Sequence, residues 1–116
     1  KDDVIGFREF KGAFAENYVL QSLSTQSTVN LRYWTSNNSA EVDFLLQYDT
    51  HILPIEVKSG KSTSSRSLTL YNAEKHPILR IRYSDKELKL DDNLLNIPLY
   101  MADWTFALLD RVIASL

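Results

Sequence analysis

The 116-residue sequence predicts an α/β fold, in which a mixed central sheet is flanked by helices in the order helix, three strands, helix, one or two strands and a terminal helix. Apolar residues recur at helical spacing over residues 6–23, which indicates a long first helix. Three apolar runs separated by polar turns then follow over residues 29–58. Consecutive strands favour an antiparallel meander, to which a later strand is added by a crossover through the second helix.

The composition is that of a single globular domain spanning residues 1–116, with 44% apolar and 24% charged residues. A net charge of −2 provides no overall basic field, so any contact with nucleic acid must be local. The sequence has no cysteine, which excludes disulfides and thiolate zinc sites, and we expect a cytoplasmic location. No apolar run approaches the roughly 20 residues of a membrane-spanning helix, so no membrane partner is expected.

The first helix is predicted to have two apolar faces, which implies packing partners on both sides. Glu16 is the exception on its face, because burying a carboxylate is costly unless it is paired, protonated or bound to a metal. One face carries Gly12, Glu16, Val19, Leu20 and Leu23, and the opposite face carries Phe7, Phe10, Phe14 and Tyr18.

The remaining elements follow from runs of apolar residues and from turn signals. Strands are predicted at residues 29–34, 41–47, 52–58, 78–83 and 94–101, with a second helix at about 65–75 and a weak hairpin within 84–93. Pro54 lacks an amide hydrogen and should lie near a strand start or at a sheet edge. Asp103 is predicted to cap a final helix. The apolar stripe of that helix would be Trp104, Leu108, Leu109, Val112 and Leu116.

Acidic residues interrupt two strands that would otherwise read as buried. Because strand side chains alternate, Glu41 and Asp43 would share one face, and Glu56 and Lys58 would share one face of the next strand. A turn at residues 48–50 would bring these groups to one end of the sheet. Carboxylates suit Mg²⁺ or Mn²⁺, and a neighbouring lysine can orient a water or neutralise charge on a phosphate. The alternative is that the acids of the first strand face solvent and Glu56 simply pairs with Lys58.

These residues resemble the core of the PD-(D/E)xK nuclease superfamily, whose order is helix, three-stranded meander, helix, strand. A closer resemblance, over about residues 7–100, is to a prokaryotic domain-of-unknown-function family, number 4143, found C-terminal to an AAA-type ATPase module. The stretches that carry it are Lys11-Gly-Ala-Phe-Ala-Glu-Asn-Tyr-Val-Leu, Tyr33-Trp, Ala40-Glu-Val-Asp-Phe, Ile55-Glu-Val-Lys-Ser-Gly and Asn96-Ile-Pro-Leu-Tyr.

The resemblance implies a restriction-endonuclease-like fold, Mg²⁺ or Mn²⁺ as cofactor, and an ATPase domain upstream in the same chain, of which this domain would be a C-terminal fragment. It implies that Glu16, Asp43 and Glu56 bind the metal and that Lys58 acts in catalysis together with Asp43 and Glu56. The sequence departs from the superfamily pattern before Asp43, where no proline is found. Nuclease-like folds also serve as non-cleaving modules.

Two further patterns concern phosphate binding. The run Ser59-Gly-Lys-Ser-Thr resembles the end of a phosphate-binding loop, but position 55, where that loop needs glycine, is isoleucine. Lys61 and Arg66 could instead hold a nucleic-acid phosphate. Arg80 and Arg82 alternate with apolar residues and are either the polar face of a half-buried strand or an extension of that basic track.

The sequence therefore predicts a metal-dependent nuclease-like domain that binds DNA or acts on it, with a DNA endonuclease as the enzymatic form. The alternative is a catalytically inactive module for protein interaction or ATPase regulation, in which the aromatic face of the first helix docks on the ATPase part or on a second copy in a homo-oligomer. A third interpretation, a small nucleotide-binding protein, requires the missing glycine.

Overall fold

The computed structural model describes residues 4–26, 31–35, 41–58 and 66–116, with their side chains except those of residues 4–13, 31–35, 41 and 43. The helices and strands alternate much as the sequence predicts, and a 3-10 helix at Leu99–Trp104 precedes the last helix. The elements are α1 (Val4–Gln26), β1 (Leu31–Thr35), β2 (Glu41–Tyr48), β3 (His51–Val57), α2 (Arg66–Lys75), β4 (Arg80–Ser84), β5 (Lys89–Asp91), β6 (Leu94–Pro98) and α3 (Thr105–Ala114).

The six strands form one mixed sheet in the order β1-β2-β3-β4-β6-β5. Strands β1, β2 and β3 are antiparallel neighbours, whereas β4 pairs in parallel with β3 and β6 pairs in parallel with β4. Helix α2 lies between β3 and β4 in the chain, as a parallel connection requires. The predicted α/β fold with a meander and a crossover is therefore confirmed.

The β2–β3 and β5–β6 hairpins each turn through two residues, the first of which has a positive φ. Tyr48 pairs with His51 around Asp49, whose φ is 56°, and the β5–β6 hairpin turns through Asp92, whose φ is 55°. Aspartate tolerates this left-handed conformation better than most side chains, and such turns match the twist of paired strands. The turn predicted at residues 48–50 is confirmed. The hairpin predicted within 84–93 is corrected, because only its strand β5 lies there and its partner is the last strand, β6.

The two faces of the sheet carry different clusters. On one face, the odd-numbered residues of β3, β4 and β6 pack with α1, the 3-10 helix and α3. On the other face, Leu68 and Tyr71 of α2 pack with Val42. The first cluster is the main core, and its fully buried members include Val19, Leu23, Leu53, Ile55, Ile81, Tyr83, Ile97 and Leu109. Helix α1 therefore covers one face and α2 the other.

The two predicted apolar faces of α1 differ in burial, and only one of them packs in the main core. Val19 and Leu23 are fully buried, whereas Phe14 is 59% exposed and Tyr18 is 43% exposed. The side chains of Phe7, Phe10 and Gly12 fall outside the described residues. None of the helices in the described part of the chain combines the length and the apolar character needed to cross a membrane.

The predictions for the C-terminal segment need three corrections. The last strand ends at Pro98 rather than at residue 101, because the chain turns into the 3-10 helix. Asp103 does not cap α3, which begins after Trp104; its carboxylate accepts a hydrogen bond from the hydroxyl of Ser22 on α1. The predicted stripe is wrong at both ends, since Trp104 is 63% exposed and Leu116 is 57% exposed.

Pro54 also lies elsewhere than predicted, because β3 is an interior strand and Pro54 is buried within it. It pairs with Leu45 of β2, while the parallel register with β4 begins one residue later, at Ile55. The missing amide hydrogen is therefore tolerated at the point where β3 has not yet paired with β4.

Candidate functional site

The carboxyl end of β3 carries a buried carboxylate with a lysine beside it. Glu56 is 8% exposed, and its Oε2 lies 3.2 Å from Nζ of Lys58. The other oxygen, Oε1, is shielded from solvent. The backbone N–H of Lys58 donates to the carbonyl of Tyr83, which extends the pairing with β4 and holds this end of the strand in place. Glu56 is therefore shielded, whereas Lys58 is 28% exposed, and the two form the ion pair that the alternative interpretation also predicts.

Alternation along β3 decides which side of the sheet this pair occupies. Ile55 and Val57 pack in the main core beneath α1. Glu56, which lies between them, therefore belongs to the opposite face, on which α2 packs. Burying a carboxylate on this face is costly unless a cation compensates it, and Lys58 supplies that charge.

Asp43 lies on β2, and only its backbone is described. Phe44 pairs with Ile55, which is the last pair of the register between β2 and β3 at this end of the strands. Residues opposite each other in antiparallel strands are near neighbours. Asp43 and Glu56 each adjoin this last pair in the chain, and the side chains of Asp43 and Glu41 lie outside the described part.

A β-bulge in β2 falls at the same place. Arg32 of β1 pairs with Leu45, but Trp34 pairs with Val42, so β2 carries one extra residue between these pairs. Val42 and Leu45, although three residues apart, both contact the α2 cluster. Strict alternation, on which the shared face of Glu41 and Asp43 was predicted, therefore does not hold through this segment.

Glu16 lies on α1 in a half-buried position. Its helix covers the face of the sheet opposite to the one assigned to Glu56 by alternation. A common metal site would therefore require Glu16 to reach Glu56 around the end of β3, which stops at Val57. Among the described side chains, no group of three or more histidines, cysteines or acids is arranged to hold a metal ion. The side chain of Asp43 is not among those described.

Two of the predicted basic residues, Arg80 and Arg82, lie on the face of the sheet opposite to the main core, because they alternate with Ile81 and Tyr83. Arg66 is exposed at the start of α2, and Lys61 lies outside the described residues. Arg80 is buried, and its Nε donates to Oδ1 of Asn93 at 3.0 Å. Desolvation by this burial lowers the pKa of the Arg80 guanidinium from its ordinary value. Arg82 is half-buried and lies directly beside Glu56 in the parallel register of β3 and β4.

Asn96 is a site residue that the sequence analysis did not identify. It is 4% exposed on β6, where it pairs with Arg82 of β4 on one side and with Lys89 of β5 on the other. Its signal in the sequence is a lone polar residue in the apolar run Leu94-Leu-Asn-Ile-Pro. A polar side chain at a buried strand position needs hydrogen-bond partners, and that requirement could have singled it out.

The register creates one polar row across four strands, consisting of Glu56, Arg82, Asn96 and Lys89. A pocket of about 510 Å³ lies at the end of this row that contains Lys89. Its lining residues are Arg82, Asp85, Lys86, Glu87, Lys89 and Asn96. The row thus connects the Glu56–Lys58 pair to a pocket lined by charged and polar residues.

The comparisons with known proteins give a family but no activity. No curated protein is significantly similar to the chain. One family model, described as a domain of unknown function (DUF4143), matches residues 11–101, which include α2, β2 to β6 and most of α1. Because that match covers well over half of the 116 residues, the chain belongs to the DUF4143 family.

Proposed function

We propose that this chain is a metal-dependent nuclease-like domain that binds or acts on the phosphodiester backbone of DNA. The observation that carries the proposal is the pair of the shielded Glu56 and Lys58, separated by 3.2 Å, at the end of β3. The last register pair of β2 and β3, Phe44 with Ile55, adjoins Asp43 and Glu56 in the chain and supports a second carboxylate near the first. The order of helix, three-stranded meander, helix and strand agrees with that of the PD-(D/E)xK superfamily.

The residues present fit a hard divalent cation, because carboxylate oxygens are the ligands that Mg²⁺ and Mn²⁺ prefer. Asp43 and Glu56 would hold the ion, with Glu16 as a third ligand if it reaches the end of β3. A bound ion of this kind lowers the pKa of a coordinated water and polarises a phosphoryl oxygen. Lys58, beside Glu56, would orient the attacking water and neutralise charge that develops on the phosphate.

The first test is a calorimetric titration of the chain with Mn²⁺, followed by the same titration of Asp43→Asn. We expect saturable binding in the wild type and its loss in the variant. Asp49→Asn is the matched control, because Asp49 is an exposed carboxylate at a left-handed turn position that asparagine also tolerates. Absence of Mn²⁺ binding in folded wild-type protein would refute the metal site. Equal loss in both variants would show that binding is non-specific.

Activity is tested next, with single-stranded, duplex and branched DNA in the presence of Mg²⁺ or Mn²⁺. We expect cleavage that is lost in Lys58→Ala while Mn²⁺ binding is retained, because Lys58 is assigned to the reacting phosphate and not to the ion. Binding of Mn²⁺ without cleavage of any of these substrates would favour a non-cleaving domain.

A second candidate function, an interaction or regulatory module, is favoured by the exposed aromatic side chains near α1. Besides Phe14 and Tyr18, Trp104 is 63% exposed and Tyr100 is 80% exposed. Tyr18 and Asp103 line a common pocket of about 190 Å³, so α1 and the 3-10 helix form adjoining parts of one surface. Exposed aromatic residues of this kind are enriched in protein interfaces.

The partner in this second proposal is the ATPase part implied by the family resemblance, or a second copy of the chain. Sedimentation equilibrium tests the second copy directly, and co-purification with the ATPase part tests the other. Phe14→Ser combined with Tyr18→Ser should abolish either association. A chain that remains monomeric and does not bind the ATPase part would refute this function.

A further inference from the structure

The pocket next to the polar row lies against the loop that follows the carboxyl end of β4. Arg82 and Asn96, the central residues of β4 and β6, line it together with Asp85, Lys86 and Glu87 of that loop. Strands β3, β4 and β6 are parallel to one another, so their carboxyl ends meet at one edge of the sheet. Ligands of open α/β sheets bind in crevices at such edges. The pocket therefore adjoins an edge of the kind at which ligands bind.

The floor of the pocket is held in place by Asn96, which is 4% exposed. Its Oδ1 accepts from Nε of Arg82 at 3.0 Å and from the hydroxyl of Ser84 at 2.6 Å. Its Nδ2 donates to the carbonyls of Lys86 at 3.0 Å and Glu87 at 2.9 Å. One buried amide therefore fixes both a guanidinium on the strand and the loop that forms the rim.

The loop itself receives a further restraint from β4. The backbone N–H of Lys86 donates to the hydroxyl of Ser84 at 3.1 Å, and Ser84 is buried. Lys86 and Lys89 are exposed, so their long side chains extend from an ordered backbone. A rim of this kind is preorganised, which reduces the entropy lost when a ligand binds.

The lining combines two kinds of charged group that suit different parts of one ligand. Arg82, Lys86 and Lys89 donate hydrogen bonds to phosphate oxygens. Asp85 and Glu87 accept hydrogen bonds, as carboxylates do from sugar hydroxyls. The volume of about 510 Å³ lies within the range of small-molecule sites. A phosphorylated sugar has both kinds of group within this size.

We propose that the pocket binds one nucleotide unit, with its phosphate on Arg82, Lys86 and Lys89 and its sugar hydroxyls towards Asp85 and Glu87. The unit is either a free nucleoside monophosphate or the 3′-terminal residue of a nucleic-acid strand, because an internal DNA residue has no free sugar hydroxyl. This inference rests on the proposed action on nucleic acid, since a strand held in the pocket would pass along the polar row to Glu56. It adds a binding site that does not need the metal.

The test is a titration of isotope-labelled chain by NMR in a chelating buffer, so that divalent cations play no part. The two probes are a nucleoside 5′-monophosphate and a short single-stranded oligonucleotide. We expect saturable shifts of the Asn96 side-chain amide and of the backbone amides at Lys86 and Lys89. Shifts with the mononucleotide indicate a free nucleotide as ligand, and shifts with the oligonucleotide alone indicate a unit of a strand.

The variant Lys86→Gln/Lys89→Gln removes two rim cations and leaves the buried floor intact. We expect this variant to bind the probes about tenfold more weakly, because it loses two charge-assisted contacts that solvent partly screens. Lys75→Gln/Arg111→Gln carries the same change of charge on exposed positions of α2 and α3, outside this pocket, and should bind as the wild type does.

Two results would overturn the proposal. One is the absence of shifts at these amides with both probes in folded protein. The other is equal weakening in the two double variants, which would mean that only the overall charge matters. The Mn²⁺ titration is carried out separately and reports on Asp43 and Glu56. Failure of the pocket and failure of the metal site are therefore distinguishable.

Discussion

Asn96→Ala is the substitution with the largest effect that the polar row predicts. Asn96 is 4% exposed and makes four hydrogen bonds, two as acceptor from Arg82 and Ser84 and two as donor to carbonyls of the rim loop. Alanine removes all four and leaves the former partners in a partly buried space. Since water can reach only some of them, the variant loses the hydrogen bonds without full compensation.

The magnitude follows from the number of bonds. At about 1 kcal/mol for each bond, the free energy of unfolding should fall by about 4 kcal/mol. That is a large part of the roughly 5–15 kcal/mol by which domains are stable. With an m-value of about 2 kcal/mol/M, the urea midpoint should fall by about 2 M. Urea denaturation followed by tryptophan fluorescence measures this change.

Asn17→Ala is the matched control, because Asn17 lies on α1 and is exposed. Alanine has the higher helix propensity, so this variant should be unchanged or stabilised by a few tenths of a kcal/mol. The reasoning would be refuted if Asn96→Ala lowered the free energy of unfolding by less than about 1 kcal/mol, the contribution of a single hydrogen bond.

Two further predictions concern the main core and one tyrosine. Leu109→Ala should lower the free energy of unfolding by about 2–5 kcal/mol, because Leu109 is fully buried. Leu116 is 57% exposed, so Leu116→Ala should change the free energy of unfolding by less than about 0.5 kcal/mol. The same urea assay measures both variants. The hydrogen bond from Tyr48 to Asp110 raises the pKa of Tyr48 to about 12, with smaller contributions from burial and nearby acids. Asp110→Asn should move that pKa back towards 10.0, as an ultraviolet titration of tyrosinate would show; no shift would contradict the hydrogen bond. Because the folded-state pKa is raised, the associated stability is present below pH 10 and is lost as the pH rises through about 12.

The element order could be predicted because most segments have one clear pattern. The segment after Pro98 has no single clear pattern, because its apolar residues fit a strand or a buried helix equally well. The chain resolves this ambiguity through tertiary contacts: the 3-10 helix packs against α1, and Asp103 bonds to Ser22, which is 81 positions away in the sequence. No local pattern around Asp103 contains that information, so the prediction of a helix cap there was wrong.

The pairing of Glu56 with Lys58 could also be read from the sequence, because two residues on one strand face are neighbours by geometry alone. The role of Asn96 could not be read from the sequence, because its hydrogen-bond partners come from β4 and from a loop that folds back over β6. Those contacts exist only once β4 and β6 have paired in parallel. The β-bulge in β2 was hidden for the same reason, since it is defined by the register with β1.

The three-residue strand β5 has a consequence for how the sheet ends. An exposed edge strand offers unpaired backbone groups on which other chains can add and aggregate. Here the edge is Lys89–Asp91, which is short, exposed and charged at both ends. A second chain that added to it would gain few hydrogen bonds and would have to desolvate both charges. The hairpin that forms one wall of the pocket therefore also protects this edge of the sheet from aggregation.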